Sequence, residues 1–517
     1  MVIVSPGVYT REIDYSLYAP QLATSVFGII TTASKGPINQ LTLVTDVGTL
    51  IGTFGYPSAN HLGLFAAQQY LNFGRQLWVV RVGTYYVFAD DQLVNSDATD
   101  PAGVGVALTI GIPEDIGPGS WANYVRVVIA TGSQTGTYRL SVQEQDRYGN
   151  WQAREVYDRL RVGAAYTANV NYISTRINGV SGYIMVTPDT TYSTLTTGTY
   201  TFSGGLDGDP VDDSDVIGVA GSPPVIPSTG LQLFANPETV DVNLLAVPGR
   251  RDNTIIQALI ALCEARSDCM CLIDAPYGMS VQQIVDWHNG NGGGLLDPTA
   301  ALNSSYAALY YPWLKVYDSY NDTEVWIPPC GHVAGVMAYT DFVADPWWAP
   351  AGLNRGLLRN VLDIEHSATQ GERDYMYGSD NCVNPICEYQ GQGYSIWGQK
   401  TLQKATTALD RINVRRLLLY MRKVVATAVR YLVSEPNDED TWSWFVNLVE
   451  PVCRVIKSQR GLYDFRVICD ATTNTPELRD RNEMRGRVLI QPTKTAEMIS
   501  VDFVLIPTGA SFEEYVA

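Results

Sequence analysis

Residues that carry chemistry are scarce in this sequence. Its four histidines, His61, His288, His332 and His366, stand singly, with no HExxH or other paired-ligand spacing to hold a metal or share a proton. A lone histidine is ordinarily structural, and none of the four is assigned a reaction. The eight cysteines are equally dispersed, and their tightest group, Cys263, Cys269 and Cys271, lacks the CxxC pairs of a zinc site, so reduced and mostly buried thiols are expected. Basic charge is in deficit too. Against 53 Asp and Glu there are 35 Lys and Arg, a formal charge of -18 that argues against coating nucleic acid or an anionic membrane. Long apolar runs are missing: the best candidate, residues 417–433, is broken by Arg422, Lys423 and Arg430, well short of the roughly 18 to 20 residues that span a bilayer. The N-terminal MVIVSPGVYTREID has neither the basic start nor the apolar centre of a secretory signal, so a soluble protein synthesised in a cytoplasm is expected.

Catalytic motifs fail one by one. The run Gly393, Tyr394, Ser395, Ile396, Trp397 begins like a nucleophile elbow, but Trp stands where a second Gly would permit the sharp turn. Gly290, Gly292, Gly293 and Gly294 follow a helical pattern instead of a strand and lack the Lys-Ser or Lys-Thr of a phosphate loop. The acidic cluster Asp207, Asp209, Asp212, Asp213 and Asp215 has neither EF-hand spacing nor its closing Glu, and Pro210 breaks it, so a solvated loop is the simpler reading. Asp363 and Glu365 are a carboxylate pair with nothing to place a substrate between them. No catalytic residue, cofactor or metal is therefore assigned, and a hydrolase on the α/β segment is the weakest alternative.

What is abundant points to cores and contact surfaces. Apolar residues make up 46% and charged residues 17% of the chain, which supports several folded domains, and 31 Tyr, 45 Gly and 27 Pro suit β-rich modules with many turns. The expected fold is multidomain α+β. Residues 1–20 read as an extended arm. Residues 21–94 and 206–385 read as a discontinuous α/β core, with compact strands at 26–31 and 77–82 and a strand and helix alternation through 242–247, 253–265, 269–273 and 280–288. Residues 95–205, rich in short Val, Thr and Tyr runs such as 125–130 and 138–143, read as an all-β insertion. Residues 326–356, within that core, are a Pro, Trp and Gly-rich segment. Residues 386–507 read as a C-terminal α+β domain of two helices, the second kinked or restarted by Pro451, with strands at 464–469, 487–490 and 497–506. Residues 508–517 form a second extended arm.

The stretch INVRRLLLYMRKVVATAVRYLV, residues 412–433, concentrates positive charge on an acidic chain. Helical spacing puts Val414, Leu417, Leu418, Met421, Val424, Val425, Ala428 and Leu432 on one side and Arg415, Arg416, Arg422, Lys423 and Arg430 on the other. No Glu or Asp neutralises that face from a neighbouring turn, as a self-contained surface helix would usually arrange. Two readings follow: a solvated charged face on an ordinary amphipathic helix, or a face that meets an acidic partner outside the helix.

Several segments, in order, resemble the contractile tail sheath proteins of bacteriophages and related contractile injection particles. They are SPGVYTREID at 5–14, Lys35, Gly36 and Pro37, GPGSWANYVRVVI at 117–129, FSGGLDGDP at 202–210, NLLAVPG at 243–249, PWWAPAGLNRG at 346–356, INVRR at 412–416 and VICD at 467–470. The resemblance implies a non-enzymatic virion subunit that forms stacked hexameric rings around a tail tube and contracts to drive the tube through a cell envelope for genome ejection. Its implied partners are copies of itself, a tail tube protein, and baseplate and tail terminator proteins, with no direct nucleic acid and no membrane. It also implies exchange of terminal strands between neighbours, for which Val2, Val4, Val8 and Tyr9 in one arm and Thr508, Phe512 and Tyr515 in the other are candidates. Arg422, Lys423 and Arg430 become the leading candidates for contact with an acidic tube, while Arg415 and Arg416, inside the NVRR motif, are candidates for either that contact or an internal brace. A β-rich virion or surface adhesion module binding glycans is the alternative function.

Overall fold

A computed structural model describes residues 24–83, 86–221, 227–291, 301–378 and 380–498. Strand β1 (Phe27–Thr31) is buried at all five positions, so it must lie in a sheet covered on both faces. Strands β2 (Leu41–Val44) and β3 (Leu77–Arg81) extend that sheet on one side. Between them lie two helices that the strand-rich reading of this segment overlooked, α1 (Val47–Phe54) and α2 (Leu62–Leu71). Helix α1 opens on Asp46, whose side chain accepts the Thr49 N–H. Helix α2 is buried along most of its length and shows no amphipathic stripe, which is why periodicity does not reveal it.

The insertion is all-antiparallel in its sheets. Strands β4 (Gln92–Asn95), β5 (Val106–Gly111), β6 (Val125–Thr131), β7 (Tyr138–Gln145) and β8 (Trp151–Leu160) are followed by the short helix α3 (Ile173–Ile177), then β9 (Met185–Pro188) and β10 (Gly198–Thr201). They form one sheet ordered β4-β5-β9 and another ordered β10-β6-β7-β8. Alternation in β6 buries Val125, Val127 and Ile129, and these join Val94, Leu108, Ile110, Leu140 and Phe202 in an apolar cluster of the insertion's own.

The chain then returns to the main sheet. In order come α4 (Asp213–Ile217), β11 (Leu244–Ala246), α5 (Asn253–Arg266), β12 (Met270–Asp274), α6 (Val281–His288), β13 (Ala307–Tyr311), β14 (Leu314–Asp318), β15 (Thr323–Ile327), α7 (Cys330–Val343), β16 (Asp363–Ile364), α8 (Gln370–Met376), β17 (Val383–Tyr389) and β18 (Gly393–Ile396). The sheet runs β2-β3-β1-β11-β12-β13-β17-β18, parallel from β3 through β17 and antiparallel at both edges. Successive residues feed opposite faces. Leu245, Cys271, Ile273 and Leu309 pack with α5 and α6, whereas Leu244, Met270, Leu272 and Tyr310 pack with α2 and α7.

Helix α7 lies inside the Pro, Trp and Gly-rich segment, to which the sequence reading gave no helix. Its sequence, CGHVAGVMAYTDFV, is buried nearly all round and carries two glycines, so neither pattern nor propensity announces a helix. Tertiary packing supplies the reason for the glycines: a Cβ on Gly331 would sit 2.3 Å from the Ala66 carbonyl oxygen of α2, and one on Gly335 would sit 3.3 Å from that of Gln69. The chain that follows α7 covers the edge of β18, where Gly352 and Leu358 donate to Ile396 and Tyr394 and Ile396 donates to Gly356.

Strands β17 and β18 belong to the main sheet, so the boundary expected at 386 falls inside β17. Helix α9 (Ile412–Val429) follows, and its opening turns are buried on every side from Ile412 to Leu417. Two compact units divide near the end of this helix, at residue 428. The second contains α10 (Glu439–Ser458), β19 (Leu462–Ile468), α11 (Pro476–Asp480) and β20 (Arg487–Pro492), with β19 and β20 paired antiparallel. Pro451 does not restart α10, which runs unbroken from Glu439 to Ser458. Its ring and missing N–H fall on the exposed side, away from the buried stripe of Trp442, Phe445, Val449, Cys453 and Ile456, so the lost bond leaves the carbonyl of exposed Asn447 to solvent. The strand expected at 497–506 falls almost wholly outside the described residues.

Candidate functional site: a basic helix and its joints

The basic residues of α9 are placed quite differently from one another. Arg415 and Arg416 are buried, at 5% and 4% exposure, and point into the protein. Arg415 donates to the Ser305 carbonyl at 3.2 Å and to the Ser305 hydroxyl, and its guanidinium lies 4.1 Å from the Tyr306 ring centre. Arg416 pairs with Asp341 of α7 at 2.6 Å. Lys423 is mostly covered, donating to Asp241 and to the Val242 carbonyl at 2.9 Å, with Asp268 at 3.8 Å. The continuous solvent-facing basic surface is therefore corrected. Acidic partners exist, but they come from α7 and from the segments flanking β11 and β12, which no local spacing rule in the helix can report. Arg422 is exposed, with its guanidinium 3.2 Å from the Tyr306 hydroxyl, and Arg430, in the second unit, is exposed as well. Val2, Val4, Val8, Tyr9, Thr508, Phe512 and Tyr515 lie outside the described residues.

The rejected chemical sites have structural employment. Asp212 and Asp215 form a capping box on α4, Asp213 accepts from Thr254, and Asp207 accepts from the Ser120 amide at 2.8 Å and hydroxyl at 2.6 Å. Ser395 sits in β18 with no elbow. Glu365 accepts the Gly278 N–H at 2.5 Å. Cys263 and Cys269 bring their sulfurs to 3.7 Å inside the core, and hydrogen bonding among the neighbouring cysteine sulfurs together with burial holds both thiols well above their usual range. His288 and His332 are buried, and desolvation pushes each down to about 4, so both rings are neutral near pH 7. Among the described residues, no group of three or more His, Cys, Asp or Glu side chains is arranged to hold a metal ion.

One cluster escaped the sequence reading altogether. Arg81, the last residue of β3, is 2% exposed, and its Nη1 donates to the Gly36 carbonyl at 2.6 Å and the Pro118 carbonyl at 2.8 Å. Burial lowers its pKa to about 10, leaving the guanidinium charged. Gly117 (φ +81°) and Gly119 (φ +151°) permit the close approach: a Cβ on Gly117 would sit 1.9 Å from the Gly36 oxygen and one on Gly119 2.4 Å from that of Ser34. Asn123 joins Gly205 to the same place, donating to its carbonyl at 2.8 Å and accepting its N–H at 2.9 Å. Three short motifs far apart in sequence, at 35–37, 117–121 and 204–207, thus meet around one arginine. A lone Arg at the end of an apolar strand was the available signal.

Comparison with known proteins follows this architecture. Residues 229–402 match the phage tail sheath protein central domain and residues 404–506 the phage tail sheath C-terminal domain, together more than half of the chain. The tail sheath protein of Enterobacteria phage T4 is 30% identical over 414 residues, 77% of this chain and 60% of that protein. That of Vibrio phage KVP40 is 32% identical over 332 residues, 62% of this chain and 48% of the relative. The chain thus spans about half to three fifths of the length of these curated relatives. Among solved structures, the helical sheath of the anti-feeding prophage in its contracted state shares the fold over 97% of this chain and 99% of that one, at 17% identity and a TM-score of 0.54. A sheath tail protein from Listeria innocua does so over 92% and 96%, at 9% identity and a TM-score of 0.56. The adjoining sheath domains, the sheath relatives in sequence and the shared fold along nearly the whole chain lead to one conclusion: this protein belongs to the phage tail sheath family.

Proposed function

We propose that this chain is the structural subunit of a contractile tail sheath, polymerising as stacked hexameric rings around a tail tube and shortening to drive that tube through a host envelope for genome ejection. It acts as a mechanical element, assembled in the host cytoplasm into a virion tail, with baseplate and tail terminator proteins at the two ends of the polymer. The observation that carries the polymer reading is the pairing of β19 with β20. Among the described residues this is a two-stranded ribbon, with Tyr463 and Leu489 exposed at 60% and 53%. A two-stranded ribbon is marginal by itself and offers strand edges to added chains, so the terminal arms of neighbouring subunits are fitting occupants.

Contact with the tube falls to Arg422 and Arg430, because Arg415, Arg416 and Lys423 are engaged within the subunit. Contacts of this exposed kind are individually weak and screened by salt, and repetition around rings makes them sufficient in number while leaving each breakable during contraction. The arm reading is tested by deleting residues 1–14 and examining the protein by negative-stain electron microscopy, with and without tube protein. Folded monomers that no longer form striated tubes are expected. Full-length tubes from the truncated protein would refute strand exchange through this arm.

A further inference from the structure

The β-rich insertion meets the main sheet along a seam of side chains that begins against its own apolar cluster, where Trp121 and Tyr183 pack. At its root stands the Arg81 joint. Next to it, Lys35 holds its ammonium 4.6 Å from the ring centres of both Trp121 and Tyr183. Tyr183 donates to Glu144 at 3.2 Å, and Glu144 also accepts from Arg154 at 2.8 Å, which carries the line along the β7 and β8 hairpin. At the hairpin tip, Arg147 donates to the Tyr320 carbonyl in the turn between β14 and β15, with its guanidinium 5.9 Å from the Tyr320 ring centre. Tyr320 itself stacks on Tyr56, centroids 3.5 Å apart and planes within 10°.

The two ends of the seam differ in kind. At the root, a buried guanidinium bridges two carbonyls and glycine backbones touch, so there is no room for sliding. At the tip, Arg147 and Tyr148 are exposed, Tyr148 at 73%, and Tyr56 is 40% exposed. Such contacts are weak, directional and sensitive to salt. We propose that the insertion is a hinged module, with the Arg81 joint as pivot and the Arg147, Tyr320 and Tyr56 contact as a releasable latch that sets its angle on the core. The latch is a property of the single chain and stands apart from the sheath reading.

The test uses the full chain. All eight native cysteines are buried, so Thr135→Cys in the insertion and Ala261→Cys on α5, both at exposed positions, offer selective sites for spin labels. The latched chain should give a single narrow distance distribution by double electron–electron resonance. Arg147→Ala should raise the population outside that distance about tenfold, Tyr320→Ala, which removes the ring but keeps the carbonyl acceptor, about threefold, and raising salt from about 0.1 M to about 1 M should act in the same direction. Tyr320→Ala leaves its turn supported, because Asp318 accepts the backbone N–H groups of residues 320 and 321. Circular dichroism confirms that each variant is folded. A distribution that stays narrow in both folded variants, or one already broad in the parent at low salt, overturns the latch.

Discussion

Arg416 and Asp341 form an ion pair at 2.6 Å in which both side chains are nearly sealed, at 4% and 3% exposure. The pair ties α9 to the C-terminal end of α7, and the same guanidinium reaches the Thr24 carbonyl at 3.5 Å, just before the chain enters β1. Taking two charges out of water is costly, and their mutual attraction offsets that cost only while both are present. Arg416→Met or Asp341→Leu alone should therefore destabilise the first unit by about 3 to 5 kcal/mol, whereas the double variant should recover much of the loss. Urea denaturation of the four proteins measures the coupling, and additive losses would show that the pair acts as two independent contacts.

Asp274 makes stability depend on pH in an unusual direction. Burial pushes this carboxyl from 3.8 up to about 6, although it accepts the Cys330 N–H at 2.8 Å and the Gly249 N–H at 3.3 Å. An acid with a raised folded pKa favours folding fully below its unfolded value and loses that contribution as pH rises through the folded one. Relative to Asp274→Asn, the parent should lose up to about 3 kcal/mol between roughly pH 4 and pH 7. A difference that stays flat across that window would contradict the assignment.

His288 and His332 act with the opposite sign. Burial lowers each from 6.5 to about 4, so their contribution is complete above pH 6.5 and disappears as pH falls through about 4. Replacing His332 with Gln should lessen the acid sensitivity of the first unit, seen as a smaller downward shift in melting temperature between pH 6.5 and pH 4.

Glycine positions separate packing from propensity. Gly331→Ala should cost about 1 to 3 kcal/mol, since the new methyl meets the Ala66 backbone, which cannot withdraw. Gly52→Ala, in α1 with nothing within 4 Å of its added Cβ, should stabilise by about 0.5 to 1 kcal/mol. Thermal melts of both variants check the pair of signs.

Charge reversal distinguishes docking from bracing on α9 and the turn that follows it. Arg422→Glu combined with Arg430→Glu should leave the melting temperature within a few degrees of the parent and abolish co-sedimentation with tail tubes. Lys423→Glu should lower the melting temperature itself, because it sets a new carboxylate beside Asp241 and Asp268. Unchanged tube binding by the double variant would remove these two residues from the interface.

Local pattern determined much of this molecule. Helices α5 and α6 and strands β1, β3, β6, β12 and β20 follow from apolar runs and spacings, which act within a few residues of themselves. Ordered sheath-like segments from residue 5 to residue 470 also carried the family. Only the tertiary structure decided the rest. Helices α2 and α7 are buried on most sides, so they lack the stripe that marks a helix, and the glycines of α7 make sense only against the α2 backbone. The charges of Arg416 and Lys423 find Asp341 and Asp241 across 75 and 182 residues, and Arg81 finds carbonyls 45 and 37 residues away. Spacing along a helix reports what its own turns can neutralise, whereas a buried charge is satisfied by whichever elements the sheet brings beside it.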